Sequence, residues 1–267
     1  MRQPTSRHLT IVTGASLGIG RAIAARFHAA GHNILLLARD ADRLQAAATT
    51  MRASAAPGAE VVTLALDITS PDCISRLEAL MAERGFTPRI LVNNAGIGLG
   101  GPFVAQPQSD IDRLIALNIT ALTRLTRHFA ERLAALGGGS IVNVASLGGY
   151  VPGPNQAAYY ASKAYVLSLS EALASELAQS GVRVMAVAPG PVATRIHASM
   201  RAERSLYRVL LPAHSPEAIA ASTYWGWRLG RRVVVPGPHY HLLGLTLRAL
   251  PHRLTIPVVG ALLKPAD

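Results

Sequence analysis

Seven short apolar runs alternate with longer amphipathic stretches, and this alternation constrains the fold of the chain more than any other feature. The apolar runs have the length of buried strands and occupy residues 9–13, 33–38, 61–65, 90–93, 140–145, 183–188 and 233–235. The amphipathic stretches between them are clearest at residues 21–30, 41–52, 73–84, 111–136 and 159–179. Continuous apolar strands separated by helices indicate βαβ units, so we predict an α/β fold in which a doubly wound parallel sheet of about seven strands carries helices on both faces.

Glycines stand where most of these helices should end, at the position that favours a left-handed backbone. They are Gly31, Gly85, Gly137, Gly181 and Gly230. The sequence contains no low-complexity linker and no internal repeat, so we predict a single domain over residues 5–237 followed by a C-terminal helical extension over residues 238–267.

The composition excludes several classes of protein. Half of the residues are apolar and 15% are charged, which suits a large core and argues against disorder. Cys73 is the only cysteine, so no intramolecular disulfide can form, and the sequence has neither a CxxC nor an HExxH motif, so we predict no metal site. The polar start of the chain does not resemble a signal peptide, and the late apolar segment 254–263 is too short to cross a bilayer, so we expect a cytoplasmic protein.

A glycine-rich stretch lies between the first predicted strand and the first predicted helix. Glycines at this place permit a tight turn and a close approach of the backbone to a pyrophosphate, and the helix that follows points its free N–H groups at the anion. The strand and helix on either side are the context that this motif requires, so we predict a dinucleotide-binding (Rossmann) fold. The candidate residues of the turn are Gly14, Ser16, Leu17, Gly18, Ile19 and Gly20.

The end of the second predicted strand indicates which dinucleotide is bound. An NAD-selective protein has an acidic residue there for the ribose 2′-hydroxyl, whereas this chain has Ala38 followed by Arg39. A guanidinium suits a 2′-phosphate, so we predict NADP (NADPH) as the cofactor, with a solvated surface charge as the alternative reading of Arg39. Asp40 is better explained as the N-cap of the next helix.

Tyr159 and Lys163 are four residues apart on one predicted helix, so they should share a face. A phenol has a pKa near 10, and a neighbouring ammonium group should lower this pKa toward the range useful for general acid–base catalysis. Ser146 follows a predicted strand at the carboxyl end of the sheet, where ligands bind in such folds, and its hydroxyl can hold a substrate carbonyl.

With Thr13–Gly20, Asn93–Gly96 and Tyr159–Lys163 in this order, the chain resembles the classical short-chain dehydrogenases/reductases. The resemblance covers residues 9–194, and 195–237 more loosely. It implies that Tyr159 is the proton donor in reduction, that Ser146 holds the carbonyl and that Lys163 binds the ribose. It also implies that Asn118, within the predicted helix 111–136, supports a water molecule in the proton relay.

The same resemblance implies a set of cofactor contacts. Asp67 would contact the adenine, and the segment from Asn93 to Gly96 would form a wall of the cofactor site. The Pro189–Gly190 turn and Thr194 would hold the nicotinamide carboxamide. The residues assigned to the cofactor beyond the glycine turn are Arg39, Asp67, Ile68, Asn94, Ala95, Gly96, Tyr159, Lys163, Pro189, Gly190, Val192 and Thr194.

In the family, residues that correspond to 194–216 form a lid over the substrate. Apolar residues of this segment could line a pocket, or they could belong to an ordinary amphipathic helix that closes the domain. The residues are Ile196, Met200, Leu206, Tyr207, Leu210 and Leu211. An apolar lid favours a hydrophobic carbonyl or alcohol as the substrate.

The extension carries an apolar series interspersed with the basic residues Arg248, Arg253 and Lys264. The apolar series consists of Leu242, Leu245, Leu247, Leu250, Leu254, Val258 and Leu262. Pro251 and Pro257 should split it into short helices. It could contact a membrane interface, pack on a second subunit or cover its own core.

The net charge of +11 is concentrated near the C-terminus, because residues 195–267 contribute +7 of it. No basic motif interleaved with aromatic residues accompanies this charge, so we expect no nucleic-acid partner, and an anionic membrane surface or an acidic ligand suits it better.

We predict an NADP-dependent enzyme that interconverts a carbonyl and an alcohol, assembled as a homodimer or homotetramer. A 3-oxoacyl-thioester reductase and a non-catalytic NADP-binding regulatory protein are the alternatives. The intact set of Asn118, Ser146, Tyr159 and Lys163 argues against the last of these, because a binding module has no need of a proton relay.

Overall fold

The computed structural model describes residues 7–53, 58–194, 200 and 211–264, and its centre is a parallel sheet of seven strands. In chain order the strands are β1 (Arg7–Thr13), β2 (Asn33–Ala38), β3 (Val61–Ala65), β4 (Phe86–Asn93), β5 (Gly139–Val144), β6 (Val182–Val187) and β7 (Val233–Val234). Their order across the sheet is β3-β2-β1-β4-β5-β6-β7, and neighbouring strands are parallel throughout. The predicted doubly wound α/β fold is confirmed.

Helices cover both faces of the sheet. In the described residues they are α1 (Gly18–His28), α2 (Ala41–Ala53), α3 (Cys73–Arg84), α4 (Gln108–Ile115), α5 (Leu122–Ala135), α6 (Ala157–Glu176), α7 (Pro216–Arg228), α8 (Pro238–Ala249) and α9 (His252–Leu262). Side chains of α1, α2 and α7 form a buried cluster with one face of the sheet, and side chains of α3, α5 and α6 form another with the opposite face. The five predicted helix-ending glycines all have a positive φ.

The fourth strand begins at Phe86 rather than at residue 90 as the sequence predicts. Its register against β1 shifts between Leu9 and Thr10, because Leu9 faces Pro88 whereas Thr10 faces Ile90. Arg89 is therefore an extra residue on this strand. Pro88 has no N–H to donate, and a strand can accommodate such a residue at a bulge.

The helix predicted over residues 111–136 is not continuous. Between α4 and α5 the backbone forms a π-helical segment, Ala116–Ala121. A π-helical segment has an extra residue in one turn, which widens that turn without changing the apolar pattern on either side. Such segments often occur at functional sites.

Pro251 separates α8 from α9 as predicted, but the prediction that Pro257 ends a helix is wrong, because this residue lies inside α9. Proline removes the hydrogen bond that would reach the carbonyl of Arg253. Both residues are on the exposed side of the helix, where solvent can meet that carbonyl, so the helix continues.

Among the described residues, no helix is both long enough and apolar enough to cross a bilayer.

Candidate active site

The backbone after β1 turns sharply before it enters α1. Gly14 and Gly18 have φ values of 63° and 56°, which L side chains rarely adopt. A Cβ atom on Gly20 would lie 2.3 Å from Nδ2 of Asn94 and 2.5 Å from the carbonyl oxygen of Gly14. Leu17, the N-cap of α1, makes no side-chain hydrogen bond to the first turn, so the start of the helix is available to an anion.

The segment after β4 is tied to this turn. Thr13 Oγ1 accepts hydrogen bonds from the backbone N–H groups of Asn94 and Ala95, both at 3.0 Å. Asn94 Nδ2 donates to the carbonyl oxygens of Thr13 and Gly14, at 3.0 and 3.2 Å. The carboxyl ends of β1 and β4 thus form one rigid edge. Thr13 was not among the predicted site residues, although it precedes the first glycine of the motif.

The ends of β2 and β3 bring Arg39 and Asp67 together. Arg39 Nη1 lies 4.0 Å from Oδ2 of Asp67, and 70% of the Arg39 side chain is exposed. Thr69 donates to Asp67 Oδ1 from both its backbone N–H and its hydroxyl, which fixes the carboxylate beside the buried Ile68. Asp40 caps α2, because its carboxylate accepts from the N–H of Arg43 at 3.0 Å.

Ser146 follows β5, and its hydroxyl lies near Tyr159, where it lowers the pKa of the phenol. Ser146 Oγ also accepts from the N–H of Gly148 at 3.1 Å, which fixes its rotamer at the start of a short turn. Tyr160 is oriented differently, because a Cβ atom on Gly153 would lie 2.5 Å from its ring. The Tyr160 ring thus packs against Gly153 and Gly148, whereas Tyr159 lies toward Lys163.

Lys163 is one turn further along α6 on the same side as Tyr159. Its Nζ lies 5.9 Å from the centre of the Tyr159 ring and donates to the carbonyl oxygen of Val144 at 3.0 Å. Both side chains are buried, with 6% of Lys163 and 8% of Tyr159 exposed. Burial lowers the pKa of Lys163 from 10.5 to about 8.

The sequence predicts that Lys163 lowers the pKa of Tyr159, but in the structure this pKa is raised, so the predicted direction is wrong. Burial raises the pKa of Tyr159, and the nearby Ser146 hydroxyl offsets only part of that effect. Desolvation disfavours the phenolate, and it likewise disfavours the charged form of Lys163.

Asn118 lies in the π-helical segment, and its side chain is hydrogen-bonded to the backbone of Ile97, in the segment that follows β4. Its Oδ1 accepts from the N–H of Ile97 at 3.0 Å, and its Nδ2 donates to the carbonyl oxygen of Ile97 at 2.9 Å and to Ser162 Oγ at 3.1 Å. A Cβ atom on Gly96 would lie 3.2 Å from Asn118 Oδ1 and 3.6 Å from Lys163 Nζ. Asn118, Gly96 and Lys163 therefore surround one small space.

The segment after β6 lies across the glycine turn. A Cβ atom on Gly18 would be 3.2 Å from Cγ2 of Thr194, and Val192 is buried and bridges to His214. The carbonyl oxygen of Pro189 accepts from the N–H of Leu147 at 2.9 Å, which ties this segment to the residue after Ser146.

Tyr240 of α8 supports the same segment from outside the predicted domain. A Cβ atom on Gly190 would lie 2.8 Å from the Tyr240 ring, and the Tyr240 hydroxyl donates to the carbonyl oxygen of Pro212 at 2.6 Å. Tyr240 is fully buried. Sequence reasoning missed it, because a lone tyrosine in an amphipathic stretch has no distinguishing pattern.

A buried polar network behind the site was also missed. Asn93 Nδ2 donates to Thr126 Oγ1 and Asn143 Oδ1, both at 2.9 Å, and Asn143 Nδ2 donates to Ser170 Oγ at 2.9 Å. The network joins β4, β5, α5 and α6. An asparagine inside the apolar run 140–145 is the signal that could have indicated it, because a buried amide needs partners.

Of the six apolar residues predicted to line the lid, the structure describes Met200 and Leu211. Met200 packs with Leu114 and Tyr159, and a Cβ atom on Gly100 would lie 1.8 Å from the Met200 carbonyl oxygen. Met200 is therefore an apolar neighbour of the candidate reacting phenol. The other predicted lid residues, Ile196, Leu206, Tyr207 and Leu210, lie outside the described residues.

These features fit a dinucleotide. The glycine turn leaves no room for β-carbons, the start of α1 is uncapped, and the exposed Arg39 lies at the end of the second strand. A doubly wound sheet with such a turn after its first strand defines a dinucleotide-binding Rossmann protein.

Comparison with known proteins identifies the family. The model of the short chain dehydrogenase family matches residues 8–205. The chain therefore belongs to the short-chain dehydrogenases, a family of oxidoreductases.

Individual relatives extend the comparison. A short-chain dehydrogenase from Sphingobium yanoikuyae, solved in complex with NADPH, matches with a TM-score of 0.79 and 35% identity over 97% of this chain and 98% of that one. The 3beta-hydroxysteroid dehydrogenase 1 of Eggerthella lenta is 34% identical over 80% of this chain and 84% of that protein. The probable oxidoreductase EphD of Mycobacterium tuberculosis is 36% identical over 72% of this chain, but the match spans only 32% of that protein.

Proposed function

We propose that the protein is an NADPH-dependent oxidoreductase that interconverts a carbonyl and an alcohol on a hydrophobic substrate, with Tyr159 as the general acid/base. The observation that carries this proposal is the placement of the buried Tyr159 beside the buried Lys163 and near Ser146 at the carboxyl end of the sheet. A carbonyl oxygen near both hydroxyls would accept one hydrogen bond from each, and it would be held where negative charge develops during reduction.

When bound, NADPH supplies the hydride that reduces the carbonyl carbon. Tyr159 donates its phenolic proton to the carbonyl oxygen, and Ser146 donates a hydrogen bond to the same oxygen. The raised pKa of Tyr159 keeps the phenol protonated at neutral pH, which is the form that reduction requires. Oxidation of an alcohol requires the phenolate, so it should accelerate at higher pH.

The residues that would hold the cofactor follow from their places in the fold. The turn from Gly14 to Gly20 would hold the pyrophosphate, and Arg39 would meet the 2′-phosphate. Asp67 and Ile68 would contact the adenine, and the segment from Asn94 to Gly96 would form a wall of the cofactor site toward Lys163. The segment from Pro189 to Thr194 would hold the nicotinamide.

The proposal of a hydrophobic substrate is supported by the side chains around Tyr159. Leu114 and Met200 pack directly with it, and the half-buried Ile97 and Leu99 lie against the same cluster. The steroid substrate named for the Eggerthella relative is large and apolar, which agrees with such surroundings. We further propose that the enzyme works in the cytoplasm as a homodimer or homotetramer.

The proposal is tested by assaying purified protein with NADPH against a series of hydrophobic ketones and aldehydes, with oxidation of NADPH as the readout. We expect turnover with at least one of them. Tyr159→Phe should abolish it while leaving NADPH binding nearly intact, because the ring stays and only the transferable proton is lost. Tyr160→Phe is the matched control and should stay active.

Cofactor choice is measured on the same protein by fluorescence titration. NADPH should bind more tightly than NADH, and Arg39→Ala should remove most of that preference.

An inactive Tyr160→Phe beside an active Tyr159→Phe would disprove the assignment of Tyr159 as the general acid. Equal affinities for the two cofactors, unaltered in Arg39→Ala, would disprove the assignment of NADPH.

A further inference from the structure

Helices α8 and α9 each bury one side against the domain. On α8 the buried side carries Tyr240 and Gly244, and on α9 it carries Thr255 and Val259; Leu263, directly after α9, is buried as well. Val259 and Leu263 form a cluster with Val151, and Leu247 of α8 packs against this cluster. The two helices are therefore fixed to the same part of the domain.

The opposite side of α8 is also apolar. Leu242 and Leu245 are 66% and 55% exposed. At 100° per residue, they share one side of the helix with Pro238 and Ala249, and this side lies about half a turn from Tyr240.

The outward side of α9 repeats this arrangement. Leu254 and Val258 are 55% and 60% exposed, and Pro257 and Ala261 are exposed between and beside them. Leu250, in the connection between the two helices, is 42% exposed. We call the exposed set Leu242, Leu245, Leu250, Leu254 and Val258 the outward surface.

The charged side chains that the two helices themselves contribute are all basic. Arg248, Arg253 and Lys264 are exposed on these helices or directly after α9. The sequence contains no Asp or Glu from residue 218 to residue 266. Arg248 is paired with Glu171 at 3.1 Å, so Arg253 and Lys264 contribute most of the positive charge available to a partner.

This combination selects among the partners that could cover an apolar surface. Exposed apolar side chains gathered on the outer sides of neighbouring helices often mark an interaction site. A second copy in a two-fold contact would present the same cations to each other, which is unfavourable. An anionic lipid surface offers acyl chains to the leucines and phosphate groups to the cations, and it is the partner that suits both features.

We propose that the outward surface is a peripheral docking site for an anionic lipid bilayer. The apolar side chains enter the boundary between headgroups and acyl chains, and Arg253 and Lys264 contact lipid phosphates. Tyr240 fixes α8 against Gly190, so docking holds the carboxyl end of the sheet, with its reaction site, close to the bilayer. This proposal does not depend on the proposed reaction, because lipid binding is measured without cofactor or substrate.

The test is sedimentation of the full-length protein with vesicles at low and at high salt. One set of vesicles consists of phosphatidylcholine with phosphatidylglycerol, and the other consists of phosphatidylcholine alone. We expect binding to the anionic vesicles only, and weaker binding at high salt because counterions screen exposed charges.

Two variants separate the apolar from the electrostatic contribution. Leu242→Ser with Leu245→Ser should weaken partition into anionic vesicles at least about tenfold, because two exposed apolar side chains are lost from the contact. Arg253→Gln with Lys264→Gln should weaken it by about twenty-five-fold, since each basic residue contributes about a fivefold gain near an anionic surface.

Leu229→Ser is the matched control, because Leu229 is 68% exposed but lies at the end of α7, outside the outward surface. It should bind anionic vesicles like the unsubstituted protein. Circular dichroism and thermal unfolding verify that each variant is folded.

The molar mass of every protein in lipid-free buffer is measured by light scattering. Absence of binding to anionic vesicles, or equal binding to both kinds of vesicle, would overturn the proposal. A smaller mass for Leu242→Ser with Leu245→Ser would also overturn it, because a second copy would then cover the surface.

Discussion

Lys163 combines a role at the candidate site with an energetic cost to the fold. Its amine is buried, and burial lowers its pKa from 10.5 to about 8. In the unfolded chain the amine stays protonated up to its ordinary pKa. Between these two values the unfolded state therefore binds more protons than the folded state, and the stability of the folded state rises with pH.

The first prediction concerns this pH dependence in the protein without cofactor. The Lys163 contribution should increase the free energy of unfolding by about 2 kcal/mol between about pH 8 and about pH 10. Denaturant unfolding across this range measures the increase. Lys163→Met has no amine to titrate, so it should lack the increase, and an identical rise in both proteins would contradict the assigned pKa. The raised pKa of Tyr159 acts in the opposite sense only above the ordinary phenol pKa, near 10.

Single residues also mark where sequence reasoning succeeds and where it fails. Spacing alone predicted that Tyr159 and Lys163 share a face, because helix geometry is local. The direction of the Tyr159 pKa shift could not be predicted, since it depends on how far Leu114 and Met200 exclude water, and these residues are distant in sequence.

At the scale of elements, apolar pattern and helix-ending glycines predicted the strands and most helices to within a few residues. The π-helical segment around Asn118 was missed, because one inserted residue leaves the apolar pattern readable on both sides. The extra Arg89 in β4 was missed because Thr87 and Pro88 resemble a loop in sequence, and only pairing with β1 makes them a strand.

The second prediction concerns the support that α8 gives to its neighbours. Tyr240→Phe removes the hydrogen bond to the Pro212 carbonyl but keeps the ring against Gly190. One hydrogen bond contributes about 1 kcal/mol, so the KM for the carbonyl substrate should rise about fivefold while kcat changes little. Steady-state kinetics measure both constants.

Tyr165→Phe is the control for this prediction. It also removes one exposed hydrogen bond, between Tyr165 of α6 and Thr123 of α5, and should leave the KM unchanged. A loss of thermal stability in Tyr240→Phe without any change in KM would mean that Tyr240 has a structural role only.

At the scale of the whole molecule, the sheet order places the ends of β1, β4, β5 and β6 along one edge, and the candidate site follows from that order. Alternation of strands and helices predicted a doubly wound parallel sheet, because parallel neighbours need crossover helices, but it did not predict the order of the strands. The packing of the extension could not be predicted in the same way. The spacing of the leucines predicted one apolar face for the extension. In the structure α8 and α9 each have an exposed apolar side and a buried side, and Tyr240 and Val259 lie on the buried sides.

The third prediction concerns deletion of residues 238–267. The deletion removes the fully buried Tyr240 together with Val259 and Leu263. Loss of a buried aromatic side chain costs about 3 kcal/mol or more, so the unfolding temperature should fall by about 5 to 10 °C. Differential scanning calorimetry measures the shift. Full-length protein with Leu242→Ser and Leu245→Ser should unfold at the original temperature, and an unchanged temperature in the deletion would show that the extension adds no stability.

The contact between Tyr240 and Gly190 also has a consequence for the way such sequences diverge. A β-carbon at position 190 is excluded while an aromatic ring stands at position 240, and a small residue at 240 would leave a hole beside the glycine. The two positions, about fifty residues apart, should therefore change together in descendants of this chain. A recombination event that exchanges the last two helices between homologues would break this pairing, so viable chimeras should be those in which both positions come from the same parent.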